Sequence, residues 1–361
     1  MVIDGMRKES VILIPAYDPP DNLIMYVADL MEAGYEDIIV VDDGSRDDKQ
    51  YIFDTLEDGG CRVLHHDKNR GKGVAIKSGL FYYTGKYSGH ADGVITVNSD
   101  GVDVVEDIDR IAEILHRQKL EGRSNLVKGV RDFESPHITG ASIRANILMT
   151  MIFRWIFGAR VRDVLCGLRG IPDACVQKCL TFPEKTYAYD CALLIGFIKD
   201  GVEEVPVRIP PQNPEAETHF RKVEHTFLIN VVLWRKLIIF GGTSIIAAVV
   251  DIFLFWYLTK YVLTGVRYPI IVGTVIARII SATLNYNLSR KLVFKTNESK
   301  RKSFSQFFAL TAVQCAISAM SVHFLEMLID GAAVPIKIVI DLFLFFVAYK
   351  IQDKFIFVSK K

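Results

Sequence analysis

The feature that most limits how this chain can fold is an asymmetry of apolar residues along its length. From Met1 to about Arg221, charged and apolar residues interleave. From Leu233 onward come four apolar stretches, roughly Leu237 to Leu258, Ile270 to Leu288, Phe304 to Ile329 and Ile336 to Val358. Each approaches the ~20 residues that a helix needs to cross a bilayer core. The expected organisation is a large head over residues 1–225 and an all-α membrane domain of four transmembrane helices over 226–361. An overall charged content of 24% hides this division.

The spans are not purely apolar. Asp251, Arg278, His323, Glu326, Lys337, Asp341 and Lys350 lie in or beside them, and ionisable groups at such depths are costly unless they face a partner, a cavity or the headgroups. Asp251 and Arg278 fall at comparable depths on neighbouring spans and are expected to pair. Basic residues set the orientation. Arg290, Lys291, Lys295, Lys300, Arg301 and Lys302 crowd the loop after the second span and Lys360 and Lys361 close the chain, whereas the loop "DGAAVP" after the third span has neither Lys nor Arg. The head, the second loop and the C-terminus are therefore expected on the cytoplasmic side of a cell membrane. The segment "MVIDGMRKES" has no apolar signal-peptide core ahead of the first strand, in keeping with that side.

A formal charge of +1 provides no global field for nucleic acid, and none is expected as a partner. The basic residues are local and suit anionic headgroups. Six cysteines occur without a CxxC pair or histidines at zinc spacing, so they read as reduced structural thiols.

In the head, four apolar runs end in polar or turn residues: "SVILIPAY" (Ser10 to Tyr17), "DIIVVDDGS" (Asp37 to Ser45), "CRVLHHDKN" (Cys61 to Asn69) and "GVITVNSDG" (Gly93 to Gly101). Between them, Leu23, Val27, Leu30 and Met31 mark one helical segment, and Val74, Ile76, Leu80 and Phe81 another. Strands alternating with helices predict an α/β domain with a mostly parallel, Rossmann-like sheet. Ligands of such sheets bind beyond the carboxyl ends of the strands. Three of those ends carry Asp18, Asp42 with Asp43, and Asp100. Carboxylates there can accept hydrogen bonds from base or ribose donors, and a metal can shield a diphosphate. Asp and Gly are also ordinary turn formers, so the weight lies in the set and not in any one loop. "NRGKG" (Asn69 to Gly73) adds small residues, backbone N–H groups and cations at a helix start, which suits phosphate, although neither the GxxxxGK[ST] nor the GxGxxG spacing is present.

Taken in order, "IPAYDP", "VVDDGSRD", "NRGKGVAIKSG", "NSDG", "KGVRDF" and "VRDVLCGLRG" resemble the inverting family 2 glycosyltransferases of the GT-A type. Within these the chain is most similar to the dolichyl-phosphate mannose synthases and polyprenyl-phosphate glycosyltransferases. The C-terminal part resembles a GtrA-like four-span domain in "LIIFGGTSIIAAVVDIFLFWYL" and "LNYNLSRKLVF". The resemblance implies a GT-A catalytic domain, a UDP- or GDP-sugar donor, a polyprenyl phosphate acceptor in the membrane, and Mg²⁺ or Mn²⁺. It implies that Pro15, Ala16 and Tyr17 line the base and that Asp42 or Asp43 accepts a base N–H. Asp18 would stand in for an acidic residue that the family carries where this chain has Pro19. Lys72, with His219 and Arg221 of "THFR", would compensate the donor phosphates.

The same comparison exposes a departure. Relatives read D-x-D-G/L-Q where this chain has Asn98, Ser99, Asp100, Gly101 and Val102. Asp100 is the implied metal carboxylate. Asn98 retains a carbonyl oxygen as a weaker ligand, and the loss of one charge is expected to weaken metal binding without substrate. Asp103 lies two residues beyond Gly101, with no direction that the sequence can assign. On the acceptor side the resemblance implies that Arg131 and Arg144 bind the lipid phosphate, Arg144 in a helix over Ile143 to Phe157 that is too short and too charged to span and reads as interfacial. Asp163 and Arg169 are expected to pair, and Asp190 to be supporting structure. Two other readings stay open: a degenerate head acting as scaffold or regulator for a lipid-linked-sugar translocating domain, and a processive polysaccharide synthase, which the chain fits poorly because it lacks Q-x-x-R-W. A homo-oligomer is compatible with all three.

Overall fold

The computed structural model describes residues 8–132, 140–159, 161–208, 222–294, 296, 298–326 and 333–357. The chain divides into two compact units between Leu233 and Trp234.

The first unit is an α/β domain. In chain order it comprises β1 (Ser10–Ala16), α1 (Leu23–Glu32), β2 (Ile38–Asp42), α2 (Gln50–Asp58), β3 (Arg62–His65), α3 (Lys72–Lys86), β4 (Gly93–Thr96), α4 (Val105–Leu120), β5 (Leu126–Arg131), α5 (Gly140–Phe157), β6 (Arg169–Pro172), α6 (Asp173–Leu180), α7 (Ala188–Phe197) and β7 (Val202–Val207). The seven strands form one sheet in the order β3-β2-β1-β4-β6-β5-β7. β6 runs antiparallel to β4 and β5, and every other pairing is parallel. Arg169 on β6 is the register partner of both Thr96 on β4 and Lys128 on β5, so those two residues stand level across it.

The apolar runs explain the layering. Successive strand residues point to opposite faces, and all seven residues of β1 are buried, as expected for a central strand covered on both sides. Ile12 and Ile14 pack with Leu23, Val27 and Leu30 of α1, with α2 and with Ile108 and Ile111 of α4. Val11 and Leu13 pack on the other face with Ile76, Leu80 and Tyr83 of α3 and with residues of α6 and α7. The predicted face of α3 needs one correction. Phe81 is exposed and Tyr83 is the buried aromatic, because residues 76, 80 and 83 share the face that meets the sheet.

Helix α5 is amphipathic in an unusual sense. Met149, Phe153 and Ile156 are buried, while Ile147, Leu148, Met151 and Trp155 are exposed beside Arg144 and Arg154. An outward apolar stripe edged with cations is the pattern of a helix that lies in a membrane interface.

The second unit is helical. α8 (Lys222–Tyr257) runs through the division between the units and is followed by α9 (Pro269–Leu288), α10 (Lys300–Glu326) and α11 (Ala333–Ile351). Over their described residues the four expected spans fall on helices; 327–329 and 358 lie outside those residues. By length and composition alone, one helix among the described residues, Phe227–Val262, is apolar enough to cross a membrane. Leu258–Val262, Ser289–Phe294 and Gln352–Ile356 continue α8, α9 and α11 as π-helical turns. An aromatic core of Phe240, Tyr286, Phe294, Phe307, Tyr349 and Phe357 holds the bundle. Asp251 and Arg278 pair as expected, with Arg278 Nη2 3.2 Å from Asp251 Oδ2 and the Ser281 hydroxyl donating to Asp251 Oδ1 at 2.8 Å. Among the basic residues used for orientation, Lys295, Lys360 and Lys361 lie outside the described residues. All six cysteines are free thiols; five are buried and Cys315 is exposed.

Candidate active site

The carboxyl ends of β1, β2, β4 and β5 share one edge of the sheet. At the first two, Pro15 and Ala16 pair with Val41 and Asp42 and are buried, while Tyr17 is half-buried. The three acidic residues expected near a base are engaged in shaping the loops. Asp42 Oδ1 accepts the Ser45 N–H at 2.8 Å, and its Oδ2 meets His65 Nδ1 at 3.0 Å and Gln50 Nε2 at 3.3 Å. Burial raises the Asp42 carboxyl, but the bonds from Ser45, His65 and Gln50 outweigh it and hold the group below its ordinary value. Asp43 accepts the backbone N–H groups of Arg70 at 2.9 Å and Gly71 at 2.7 Å and meets His66 Nδ1 at 2.6 Å, which fastens the start of α3 to the end of β2. Asp18 sits at a left-handed φ of 44° and accepts the Arg46 N–H at 2.9 Å. Pro15, Ala16 and Tyr17 thus close the tip of β1, and Asp18, Asp42 and Asp43 frame the loops beside it.

The tip of β4 is the electrostatic centre. Asp103 Oδ2 accepts both the backbone N–H and the side-chain Nδ2 of Asn98, at 2.7 and 2.9 Å. This turns Asn98 Oδ1 toward Lys72, whose Nζ lies 3.2 Å away. Lys72 Nζ is also 3.4 Å from Asp190 Oδ2, and Asp190 Oδ1 is 3.6 Å from Nε of the fully buried Arg169. Burial lowers the Lys72 ammonium, yet Asp190 beside it prevails and holds it above its ordinary range. Burial pushes the Asp103 carboxyl up to about 6 against the opposing bonds from Asn98.

Ser99 is half-buried and Asp100 reaches solvent. The Asp100 loop is braced by α1, with Asn22 Nδ2 donating to the Asp100 carbonyl at 3.1 Å and Tyr26 Oη to the Asp103 carbonyl at 2.8 Å. Enough protein crowds Asp100 that desolvation raises its carboxyl, against the Val102 N–H and Lys72. The donor set for a divalent ion is accordingly narrower than expected. Asp100 fits, since Mg²⁺ can be held by one or two carboxylates together with substrate phosphates. Asn98 does not, because its carbonyl oxygen already faces an ammonium.

At the tip of β5, Arg131 makes three bonds to Asp163. Its backbone N–H, Nε and Nη2 reach the two carboxylate oxygens at 3.0, 2.8 and 2.7 Å. The expected Asp163–Arg169 pair is therefore corrected: Asp163 holds Arg131, and Arg169 lies beside Asp190. Burial raises the Asp163 carboxyl, and Arg131 more than reverses this, leaving it below its ordinary value. Asp163 adopts a left-handed φ of 47°, and the carbonyl before it, on Arg162, accepts Nζ of the buried Lys128 at 2.7 Å. Burial lowers Lys128 to about 8. Arg131 also lines a groove of about 540 Å³ with Arg110, Arg162 and Arg208. Arg144 is exposed on α5. His219 and Arg221 lie outside the described residues. The sequence reading named Asp103 without a direction and missed Lys128 as a site-forming residue, for which the one available signal was a charge inside an otherwise apolar segment.

The profile of glycosyl transferase family 2 matches residues 11–139, which include the tips of β1, β2, β4 and β5, and that of the GtrA/DPMS transmembrane domain matches 239–357. The chain couples a family 2 glycosyltransferase domain to a GtrA/DPMS transmembrane domain. It is an integral membrane protein. The chain is 25% identical over 227 residues to a dolichyl-phosphate beta-glucosyltransferase of Saccharomyces cerevisiae, covering 54% of this chain and 65% of that one. It is 26% identical over 220 residues to a UDP-N-acetylglucosamine–dolichyl-phosphate N-acetylglucosaminyltransferase of Methanococcus voltae, covering 56% and 85%. The chain thus spans just under two thirds of the yeast relative's length. Among solved structures, glucosyl-3-phosphoglycerate synthase of Mycobacterium tuberculosis, in complex with Mn²⁺, UDP-glucose and phosphoglyceric acid, is similar to this chain at 18% identity. That likeness covers 63% of this chain and 78% of that one, with a TM-score of 0.46.

Proposed function

We propose that the protein transfers a sugar from a UDP- or GDP-sugar to a membrane polyprenyl phosphate, with inversion at the anomeric carbon, on the cytoplasmic face of the membrane. The observation that carries this reading is the pair of phosphate-suited strand tips on one sheet edge. Asp100 and Lys72 stand at β4 and Arg131 at β5, in a chain whose second domain is a transmembrane one.

The chemistry asks little proton transfer of the protein. A phosphate monoester has its second pKa near ~6, so the attacking oxygen is already anionic at neutral pH and needs no general base. Asp190, held between Lys72 and Arg169, then serves to place those cations. The acceptor oxygen forms a bond to the anomeric carbon while the bond from that carbon to the donor's diphosphate oxygen breaks, and the nucleoside diphosphate departs with the electron pair. What remains is to position two anions that repel each other and to stabilise the departing one. Arg131, fixed by Asp163, offers an oriented planar guanidinium to the acceptor phosphate, and Arg144 on the interfacial α5 would meet it from the membrane side. Lys72 faces the donor phosphates, with His219 and Arg221 as further cations. A divalent ion held by Asp100 would neutralise charge on the diphosphate. The walls built by Pro15, Ala16 and Tyr17 would take the base.

The test is incubation of the purified full chain in nanodiscs with undecaprenyl or dolichyl phosphate, MnCl₂ or MgCl₂, and a panel of UDP- and GDP-sugars. A lipid-linked sugar with one donor is expected, and Asp100→Ala should lower turnover about 100-fold, the scale of losing one stabilising group at a developing charge. No product with any donor would sink the reading. Unchanged turnover in Asp100→Ala would remove that residue from the site.

A further inference from the structure

The bond between Asn98 and Lys72 changes the electrostatics of the donor site. The orientation of the Asn98 amide is unambiguous, because its nitrogen faces the Asp103 carboxylate at 2.9 Å and its oxygen faces the Lys72 ammonium at 3.2 Å. A carboxylate at position 98 would set one oxygen against Asp103, so the amide is the group that the surrounding structure accepts. Gly167 leaves room for this contact: a Cβ there would stand 3.1 Å from both Asn98 Oδ1 and Lys72 Nζ. Asp190, the other neighbour of Lys72, divides its charge with Arg169. Lys72 is also the first residue of α3, where the helix dipole adds positive potential, although the Gly71 and Val74 N–H groups are already bonded to Asp43 and to the Gly71 and Lys185 carbonyls. No carboxylate therefore holds the ammonium alone: Asn98 offers a neutral oxygen, Asp190 is shared with Arg169, and Asp103 and Asp100 act on it from further off.

We infer that Lys72 and the start of α3 bind the donor's diphosphate directly, so that this chain takes up a nucleoside diphosphate without a divalent ion. The inference rests on the proposed function and concerns what the Asn98 departure does. Charge compensation moves from an ion between two carboxylates to a lysine that is part of the fold. Asp100 remains the single carboxylate at the tip, able to engage an ion once phosphates are present, but it is not needed to recruit them.

The experiment is equilibrium binding of UDP and GDP to the full chain in nanodiscs, in EDTA and in MnCl₂. For whichever nucleotide binds, the dissociation constant in EDTA should lie within about threefold of that in Mn²⁺, since a resident cation already offsets the diphosphate. Asn98→Asp should weaken binding in EDTA about tenfold, with Mn²⁺ recovering most of it. Lys72→Met should abolish binding in EDTA while leaving measurable binding in Mn²⁺. Binding by the wild-type chain in Mn²⁺ but not in EDTA would overturn this inference and leave the proposed function standing. Absence of UDP and GDP binding under both conditions would overturn both. The comparison of the wild-type chain with and without metal is decisive even where a variant fails to fold.

Discussion

Arg131 and Asp163 are joined by three hydrogen bonds from a backbone N–H and two guanidinium nitrogens to two carboxylate oxygens, 32 residues apart in sequence. The pair fixes the direction of a cation that stays 37% exposed while its carboxylate is fully covered. Asp163→Ala should release Arg131 and raise the KM for polyprenyl phosphate about tenfold, with the KM for the nucleotide-sugar nearly unchanged. The cost to stability should be about 1–2 kcal/mol, below that of a fully buried pair because the arginine remains hydrated. Since the Asp163 carboxyl is held below its ordinary value, its contribution is complete at neutral pH and disappears as the pH falls through that depressed value. Initial rates against each substrate, with thermal unfolding, check both statements.

Asp103 gives the opposite sign. Its carboxyl titrates near 6 against an ordinary 3.8, so between those values the folded chain holds a proton that the unfolded chain has lost. The stability it contributes is full below that window and is lost as the pH rises through it. The total is about 2–3 kcal/mol. Asp103→Asn keeps an acceptor for the Asn98 N–H and removes the titration. The unfolding midpoint of the variant should then depend less on pH across that window than that of the wild-type chain.

Gly44 closes the loop after β2 with a φ of +75°, and a Cβ there would lie 2.2 Å from the Lys68 backbone carbonyl carbon. Both the backbone region and the contact exclude a side chain. Gly44→Ala should cost about 2–3 kcal/mol in thermal or denaturant unfolding, and should weaken nucleotide binding by shifting the frame around Asp42 and Asp43. Gly60→Ala is the control. It also has positive φ but no atom within 4 Å of its Cβ, so it should cost less.

In the membrane domain, Asp251 on α8 and Arg278 on α9 form an ion pair that Ser281 completes. Asp251→Asn and Arg278→Gln should each lower the unfolding midpoint in detergent. The double variant should be less damaged than the sum, with a coupling of about 1 kcal/mol. Additive effects would show that the pair does not contribute to stability.

Much of the head was legible because β1 to β4 lie in apolar runs that end in turn residues. β6 and β7 were not. Arg169–Pro172 is four residues long and holds an arginine, a glycine and a proline, and Val202–Val207 interrupts its apolar pattern with two glutamates and a proline. Neither has the local signature of a strand, and both are placed by pairing with distant segments. The same division holds at the site. Asp100, Lys72 and Arg131 could be read because they end or start regular elements. The partner of Asp163 could not be, because the sequence offers Arg169 six residues away while the left-handed turn at Asp163 directs the carboxylate to Arg131. The direction of Asp103 depends likewise on a turn through Gly101, whose φ is +72°. It is there that the amide at position 98 ceases to be a missing charge and becomes a matched group.

The single antiparallel strand has a consequence for distance. With β6 between β4 and β5, the tips that carry Asp100 and Arg131 are separated by two interstrand spacings, about 10 Å. That separation is maintained by backbone hydrogen bonds and not by side chains, so substitutions around either tip can alter grip without altering span. The sheet acts as a ruler. It keeps the two tips two strand spacings apart, and the proposed sugar transfer would have to bridge that gap.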